Sequence, residues 1–260
     1  MRLVIKIGGA LLDDATLVER CARCVAGLVE SGDQVAVVHG GGIALTRLLE
    51  RLGKKSEFVH GLRVTDAETR DAALMVLAGG INKKLVGALG KLGRPAVGMC
   101  GGDGLSFRAR KRVNGGTDLG FVGEISSVDP SWLNTIWNAG AVPVIASLAL
   151  GMDGEYYNIN ADQMAAACAV ACQAERLAFL TDVNGVLDAH RCVIRVLPAN
   201  NIAVLREAGV ITGGMLPKLE ACERALAGGV GSVHILPGAQ MEALNQFARG
   251  GIQVGTELIA

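Results

Sequence analysis

The chain has 260 residues, half of them hydrophobic, with 25 basic and 25 acidic side chains. Because the charges balance, the composition gives no single-sign surface that would favour nucleic acid or an anionic membrane. The 36 glycines and the 3% aromatic content favour a layered α/β protein with a core of small aliphatic residues. We therefore expect small molecules and like subunits as partners.

No segment of the sequence predicts secretion or a membrane anchor. Lys6, Gly8 and Gly9 interrupt the first apolar stretch, and the longest apolar runs, 141–150 and 164–172, are too short to span a bilayer. The seven cysteines show no paired metal-ligand spacing, so we interpret them as reduced and mainly buried thiols. These features predict a cytoplasmic protein without a metal centre of its own.

Short β-rich apolar runs alternate with helical patterns along the chain. The predicted strands are Leu3–Ile7, Val35–Val38, Ala96–Met99, Val142–Ala146, Leu177–Thr181 and Ser232–Leu236. Four predicted helices cover about 14–30, 161–172, 202–208 and 216–227. A further helix follows the second strand and ends near 52, a long helix runs from about 66 beyond 84 with Thr65 as its cap, and Asp129 caps another. This alternation predicts one domain, a three-layer α/β/α sandwich around a mainly parallel sheet.

Two glycine-rich turns follow predicted strands. Lys6 lies on an otherwise apolar strand, where a charge is costly unless it meets an anion, and Gly8 and Gly9 follow it. His39-Gly40-Gly41-Gly42 again joins a strand to a helix, which creates a nest of N–H donors at the positive end of the helix dipole. Neither a GxGxxG fingerprint nor a GxxxxGK[ST] loop is present, so a phosphate site here has another design.

Four further positions are candidates for charge recognition. Arg63 precedes the long helix and could bind a carboxylate, although a lone arginine is more often solvated. Asp162, in the first turn of a helix that Asn160 could cap, either complements the helix dipole or orients lysines. Asp182 ends a strand, and Lys218 lies in the first turn of a helix that two glycines precede.

A polar, glycine-rich segment, Gly102–Gly123, is typical of a hairpin or lid.

The order of these motifs resembles the amino acid kinase family and, within it, the acetylglutamate kinases. The resemblance runs from Leu3 to about Gly238 and includes Leu77–Lys83, Gly101–Gly104, Gly120–Glu124 and Glu220–Cys222. It implies the amino acid kinase fold, with an acyl-acceptor lobe at about 1–174 and an ATP lobe at about 175–260. The implied reaction is phosphorylation of the γ-carboxylate of N-acetyl-L-glutamate by ATP, with Mg²⁺ carried by the nucleotide, as the second step of arginine biosynthesis. The product is N-acetylglutamyl 5-phosphate.

The resemblance also implies the catalytic residues. Lys6 and Lys218 would stabilise the negative charge on the transferring phosphoryl group, and Asp162 would hold both lysines. Gly8 and Gly9 would donate backbone N–H bonds to the phosphates. Because a glutamate side chain with a pKa of about 4.3 is already ionised at neutral pH, this reaction needs no general base. The four histidines, His39, His60, His190 and His234, are accordingly interpreted as structural.

The implied substrate sites use the remaining motifs. Gly41 and Gly42 would cradle the acyl acceptor, whose α-carboxylate and N-acetyl region would meet Arg63 and Asn158. The adenine and ribose site would be lined by Asp182, Val183, Asn184, Gly185, Val186, Leu187, Val210, Ile211 and Thr212.

Several alternatives stay open on the sequence alone. A kinase for acetylaminoadipate differs by one methylene in its substrate, worth only about 1–3 kcal/mol in a pocket, and a glutamate kinase is also compatible. Dinucleotide-dependent oxidoreductases and non-catalytic ligand sensors are different classes that the lysines disfavour. In the family, arginine-inhibited members carry an additional helix ahead of the first strand. In this chain the first strand begins near Arg2, which leaves no room for such a helix. We therefore expect an arginine-insensitive homodimer that pairs through the long helix after Thr65.

Overall fold

A computed structural model describes residues 1–59, 61–113, 117–241, 243–251 and 254–260. Its strands are β1 (Arg2–Ile7), β2 (Gln34–His39), β3 (Phe58–Val59), β4 (Leu62–Arg63), β5 (Ala96–Met99), β6 (Phe107–Lys111), β7 (Val122–Val128), β8 (Val142–Ala146), β9 (Leu148–Gly151), β10 (Tyr156–Ile159), β11 (Arg176–Thr181), β12 (Val196–Pro198), β13 (Ser232–Pro237) and β14 (Thr256–Ile259). All six predicted strands are present, with ends shifted by one residue at most.

The helices follow the predicted alternation. They are α1 (Gly9–Leu12), α2 (Ala15–Glu30), α3 (Gly42–Arg51), α4 (Ala67–Ala73), α5 (Asn82–Gly90), α6 (Ser131–Asn138), α7 (Ala161–Ala171), α8 (Asn200–Glu207), α9 (Met215–Ala227) and α10 (Ala243–Arg249). A π-helical segment, Leu74–Ile81, joins α4 to α5, so that the predicted long helix is continuous from Ala67 to Gly90. A 3₁₀ turn, Asp103–Leu105, precedes β6.

The central sheet has eight strands in the order β12-β14-β13-β11-β1-β2-β8-β5, and among the described pairs of this sheet only β13–β14 is antiparallel. Every residue of β1, β2 and β11 except the first is buried, as expected for strands covered by helices on both faces. Val4 packs in one core cluster with α7 and α9, whereas Leu3 and Ile5 pack in the other with α2 and α5. The predicted three-layer α/β/α architecture is therefore confirmed.

The sheet is continuous across the two implied lobes. The part of the chain from 175 onward supplies β11, β12, β13 and β14, and the preceding part supplies β1, β2, β5 and β8. The two groups join where β11 pairs in parallel with β1, from Leu3 opposite Arg176 to Ile7 opposite Leu180. The carboxyl ends of strands from both halves therefore meet at one edge, the edge at which open α/β sheets bind ligands.

The polar segment Gly102–Gly123 contains one arm of a second, smaller sheet. Strands β6 and β7 form an antiparallel hairpin, as predicted, but they also close with β9 and β10 into a four-stranded barrel that the sequence patterns did not reveal. Residues 114–116 of this segment lie outside the described residues. Closure of the hairpin over a ligand stays a prediction.

The start of the long helix differs from the prediction. Asp66, not Thr65, is the N-cap, because its carboxylate accepts a hydrogen bond of 2.9 Å from the Thr69 N–H. The Thr65 hydroxyl instead donates to the Arg63 carbonyl at 2.8 Å. Thr65 thereby helps to shape the loop that carries Arg63 rather than the helix that follows.

The long helix is apolar beyond its buried face. By length and composition alone, 67–90 is the one helix of the described residues that could cross a membrane, and 39% of its most apolar stretch is buried within the chain. Leu77, Ile81 and Leu85 pack into the core, whereas Met75 is 69% exposed. The helix therefore presents an apolar surface to the outside of the subunit.

Candidate active site

The candidate site is assembled where three adjacent strands end. Lys6 lies near the end of β1, Gly40 directly follows β2, and Asp182 directly follows β11. Helix α7, whose first turn contains Asp162, and helix α9, whose first turn contains Lys218, begin beside the same edge. The residues proposed from widely separated motifs therefore come together at one place.

Asp162 bridges the two lysines. Its Oδ1 lies 2.7 Å from Lys6 Nζ, and its Oδ2 accepts a hydrogen bond of 2.9 Å from Lys218 Nζ. The Lys6 contact is an ion pair in distance but lacks hydrogen-bond alignment. Each of the three residues is only 8% exposed, so the ion pairs lie in a largely dry environment. A carboxylate between two ammonium groups leaves one net positive charge in this cluster.

Burial and charge act in opposite directions on these groups. Burial alone would raise the pKa of Asp162, but the ammonium groups of Lys6 and Lys218 outweigh it and lower that pKa to about 2. Burial lowers the pKa of Lys6 from its usual value, and the Asp162 carboxylate opposes that shift. Asp162 is thus ionised throughout the physiological range and holds both lysines in place.

Backbone N–H groups from two helix starts face the same space. A methyl group placed on Gly9 would lie 3.6 Å from the backbone nitrogen of Gly42 and 3.9 Å from that of Gly41, so the two glycine turns are closely packed. Gly9 begins α1 and Gly42 begins α3, where the first N–H groups have no acceptor inside the helix. The two glycine turns are therefore adjacent, and the binding of an anion by their N–H groups stays a prediction.

Gly8 differs from the prediction. Its N–H already donates to the carbonyl oxygen of Leu180 at 2.9 Å, which links the end of β1 to β11. A methyl group on Gly8 would come within 2.8 Å of that same oxygen. Gly8 therefore permits the close approach of two strands, and Gly9 is the residue of this pair whose N–H is available to a phosphate.

Arg63 is buried rather than solvated. It is 7% exposed, and its Nη2 donates to the Gly42 carbonyl at 2.9 Å and to the Thr46 hydroxyl at 2.7 Å. Its Nη1 donates to the Ser56 hydroxyl, and the guanidinium lies 4.6 Å from the centre of the Phe58 ring. Within the described parts of the chain, no acidic side chain pairs with it. A buried guanidinium without a counterion is a site prepared for an anionic ligand.

The cavity beside Arg63 contains all four predicted acceptor-binding residues. Lys6 and Asp162 line it together with Arg63 and Asn158. The remaining lining residues include Gly41, Gly42, Leu77, Val122, Ser147 and Asn160. The Asn158 amide donates to the Thr65 hydroxyl at 3.3 Å, which ties β10 to the Arg63 loop. An elongated polar ligand would thus span the distance from the lysines to Arg63.

A second cavity contains all of the residues predicted for the adenine and ribose site. Its lining comprises Asp182, Val183, Asn184, Gly185, Val186, Leu187, Val210, Ile211, Thr212 and Met215. An intermediate cavity, bounded by Lys6, Gly9, Asp182 and Lys218, joins this region to the one beside Arg63. The lysines therefore lie between two ligand-sized spaces, and Met215 is a lining residue that the motifs did not indicate.

Sequence reasoning missed the residues that hold Arg63 in place. Thr46, Ser56 and Phe58 contact the guanidinium from α3, from the following loop and from β3. Their residue types are common in surface segments, so no local pattern marks them. Asn160 was expected only as a cap; it accepts from the N–H groups of Asp162 and Gln163, as predicted, and it also lines the cavity.

The Asp162 ion pairs generate a pH prediction. Since the folded-state pKa of Asp162 lies below its usual 3.8, the ion pairs stabilise the fold above about pH 4, and this stabilisation is lost as the pH falls toward 2. Replacing Asp162 by Asn should lower the free energy of unfolding by about 3–5 kcal/mol at pH 7, because two buried ammonium groups lose their partner. The difference in the free energy of unfolding between this variant and the native chain should narrow as the pH falls from about 4 toward 2.

Urea unfolding across this pH range measures both effects. The control is Asp71→Asn, which removes a surface carboxylate paired with Arg70 and should cost less than about 1 kcal/mol at pH 7. Equal costs for the two variants, or a difference that does not depend on pH, would contradict the assignment of Asp162 as the buried counterion.

The comparisons with known proteins agree with this geometry. Residues 1–237 match the model of the Amino acid kinase family. The chain is 58% identical to the acetylglutamate kinase of Acidobacterium capsulatum over 100% of both chains, and 54% identical to that of Koribacter versatilis over 100% of this chain and 99% of the relative.

Solved structures show the same fold. The chain resembles smu.665 from Streptococcus mutans with a TM-score of 0.83 and 27% identity, covering 100% of this chain and 98% of the other. It also resembles N-acetylglutamate synthase from Neisseria gonorrhoeae with a TM-score of 0.87 and 30% identity, covering 100% of this chain and 59% of that one. On the family match and the full-length relatives, the chain belongs to the amino acid kinase family.

Proposed function

We propose that this chain transfers the γ-phosphoryl group of ATP to the γ-carboxylate of N-acetyl-L-glutamate, which yields N-acetylglutamyl 5-phosphate for arginine biosynthesis. The full-length relatives named acetylglutamate kinase support this assignment. The single observation that carries it is the buried Lys6–Asp162–Lys218 cluster, which lies between a cavity lined by Arg63 and a second cavity lined by Asp182.

The charge pattern suits a reaction between two anions. An ionised acceptor carboxylate and a triphosphate repel each other, so the protein must neutralise charge and align the two groups rather than remove a proton. The cavity beside Arg63 and the intermediate cavity are together lined by three cations and two carboxylates. The cations are Lys6, Arg63 and Lys218, and the carboxylates are Asp162 and Asp182. Lys6 and Lys218 would meet the transferring phosphoryl group, together with the N–H groups of the glycine nest.

Arg63 suits the acceptor's α-carboxylate. Its position is fixed by Gly42 and Thr46, and its charge has no protein partner within the described residues, so it binds an anionic ligand without first breaking an ion pair. Asn158, which lines the same cavity, would offer its amide to the N-acetyl group. Since Lys6 lines this cavity as well, an acceptor bound by Arg63 could extend its side-chain carboxylate toward Lys6.

The nucleotide would occupy the cavity beyond Asp182. Val183, Val186, Leu187 and Ile211 supply apolar surface for the adenine ring, and the adjoining backbone and Asp182 supply polar groups for the ribose. Mg²⁺ would arrive with the nucleotide, bound mainly by phosphate oxygens and water, and would neutralise phosphate charge during transfer. We place the reaction in the cytoplasm, where seven free cysteines remain reduced.

Replacing Arg63 by Ala tests the acceptor assignment. The Michaelis constant for N-acetyl-L-glutamate should rise by at least about tenfold, because a charge-assisted hydrogen bond contributes about 1.5–3 kcal/mol. The constant for ATP should stay within about twofold. Coupled ADP-release assays measure both, with N-acetyl-L-glutamate, L-glutamate and acetylaminoadipate as acceptors.

The control variant is Arg110→Ala, which removes an exposed arginine paired with Glu124 on the barrel and should change neither constant. A rise in the constant for ATP rather than for the acceptor would move Arg63 to the phosphate site. Faster phosphorylation of L-glutamate or acetylaminoadipate by the native chain would overturn the substrate assignment and leave a kinase for that acid in its place.

We further propose that the protein is a homodimer that pairs through the long helix. The apolar side chains on its outer surface include Leu74, Met75, Val76 and Val86, each at least partly exposed in the single subunit. A symmetric pair is the commonest way in which such a surface is covered. The two candidate active sites would then lie one in each subunit.

A charge placed on this surface tests the dimer. Light scattering should give the native chain about twice the mass of its 26.9 kDa subunit. Met75→Lys should shift the protein to the monomer, because the charge would be buried at the interface. Met152→Lys is the control, since Met152 is 84% exposed and directly follows the barrel strand β9 rather than belonging to the helix. A monomeric native chain, or a Met75→Lys dimer as stable as the control, would contradict the proposal.

A further inference from the structure

His39 occupies a buried position directly before the glycine nest. It is the last residue of β2 and is fully buried, although the proposed chemistry gives it no role. Its Nδ1 lies 2.9 Å from the carbonyl oxygen of Gly40, and its Nε2 lies 3.0 Å from the side-chain nitrogen of Asn82. A polar ring in this environment is retained only if both nitrogens are satisfied.

The contacts of Asn82 determine which nitrogen of His39 carries the proton. The Asn82 Nδ2 also donates to the Val144 carbonyl at 2.9 Å, so the Asn82 amide is oriented with its NH₂ group toward both acceptors. An amide NH₂ can only donate, so Nε2 of His39 must accept and the ring proton must lie on Nδ1. Burial lowers the pKa of His39 to about 4, which keeps the ring neutral. Nδ1–H therefore donates to the Gly40 carbonyl.

This hydrogen bond orients a peptide group of the nest. The Gly40 oxygen and the Gly41 N–H belong to the same trans peptide and so point in opposite directions. With the oxygen held against the buried His39 ring, the Gly41 N–H is directed away from the core, toward the cavity that Gly40, Gly41 and Gly42 line. In the described chain, no protein acceptor takes up this N–H.

The long helix supports the same peptide through apolar contacts. Gly41 has a φ of +154°, and a methyl group there would clash with Ile81 and lie 2.8 Å from Leu77. Ile81 and Leu77 belong to the π-helical segment, and Asn82 follows it immediately. π-helical turns are commonly found at functional sites, where they change which side chains face inward. Here the segment places Leu77 and Ile81 beside Gly41, and Asn82, directly after it, contacts the His39 ring.

We propose that His39 is a positioning residue whose Nδ1–H, set by Asn82, fixes the Gly40–Gly41 peptide so that the Gly41 N–H is a preorganised donor to the reacting anion. The proposal rests on the proposed function in that the anion is the acceptor carboxylate or the transferring phosphoryl group. A donor fixed before the reaction stabilises developing charge without reorganisation, so its loss lowers turnover more than ground-state binding.

Three substitutions at His39 separate positioning from packing. Asn can place an amide N–H near the former Nδ1, Gln places its amide near the former Nε2, and Phe keeps the ring shape without donors. His39→Asn should retain turnover within about threefold, whereas His39→Gln and His39→Phe should lower it by about 10- to 100-fold, less than the loss of a whole oxyanion donor. The Michaelis constant for ATP should change little in all three variants.

A matched control addresses the loss of a buried ring. His234→Phe replaces another buried histidine, which lies on β13 and lines neither the acceptor cavity nor the nucleotide cavity. This variant should lose about as much thermal stability as His39→Phe but keep the native turnover. Equal turnover losses in the Asn, Gln and Phe variants of His39, or losses that track melting temperature alone, would overturn the proposal. Absence of phosphoryl transfer by the native chain would instead refute the proposed function.

The tautomer can be tested without any activity. In ¹⁵N-labelled native protein, long-range imidazole spectra should show His39 neutral and protonated on Nδ1 between pH 6 and pH 8, and Asn82→Ala should weaken that preference. A ring protonated on Nε2 in this range would contradict the proposal even if the His39 variants were inactive.

Discussion

The burial of two lysines around one carboxylate is the interaction on which the rest of the structure depends. A single ammonium group on the apolar strand β1 would cost several kcal/mol, and Asp162 removes that cost for Lys6 and Lys218 together. One positive charge remains uncompensated in the cluster, so the folded protein still attracts an anion there. The arrangement that permits the lysines to be buried is thus the same one that, in the proposed function, would stabilise the transferring phosphoryl group.

The fold brings this cluster together from distant parts of the chain. Lys6 depends on β1 lying between β2 and β11, Asp162 on the start of α7, and Lys218 on the start of α9. Parallel strands end at one edge, and the helices that follow begin there with free N–H groups, so cationic side chains and backbone donors converge. The outer elements, including the barrel and the long helix, then shape the space in which the acceptor would lie.

The sequence predicted the central sheet because its strands are buried on both faces and form continuous apolar runs, as in β1, β2 and β11. The barrel was missed because its strands β9 and β10 have four residues each and β6 carries charged residues, so neither length nor periodicity marks them. Asp66 rather than Thr65 caps the long helix. Threonine and aspartate are both common N-cap residues, so the sequence alone does not decide between two such neighbours.

The site was predicted less evenly. The lysines, Asp162 and the glycines could be found because charges and glycines are unusual in apolar strands and strand ends. Three kinds of contact could not be predicted: the Gly8 N–H to Leu180, the hydrogen bonds of Arg63 to Thr46 and Ser56, and the contact of His39 with Asn82. Each joins residues of different elements or loops, and no local pattern marks the partners. Such contacts exist only after the layers have packed.

The central claim is that the Lys6–Asp162–Lys218 cluster acts on the transition state of phosphoryl transfer. The most direct measurement compares turnover with ATP affinity in Lys218→Ala, using the surface substitution Lys111→Ala as the control. Turnover should fall by at least about 100-fold, whereas the dissociation constant for ATP should stay within a few-fold of the native value. Equal losses in turnover and affinity would contradict it and assign Lys218 to ground-state nucleotide binding.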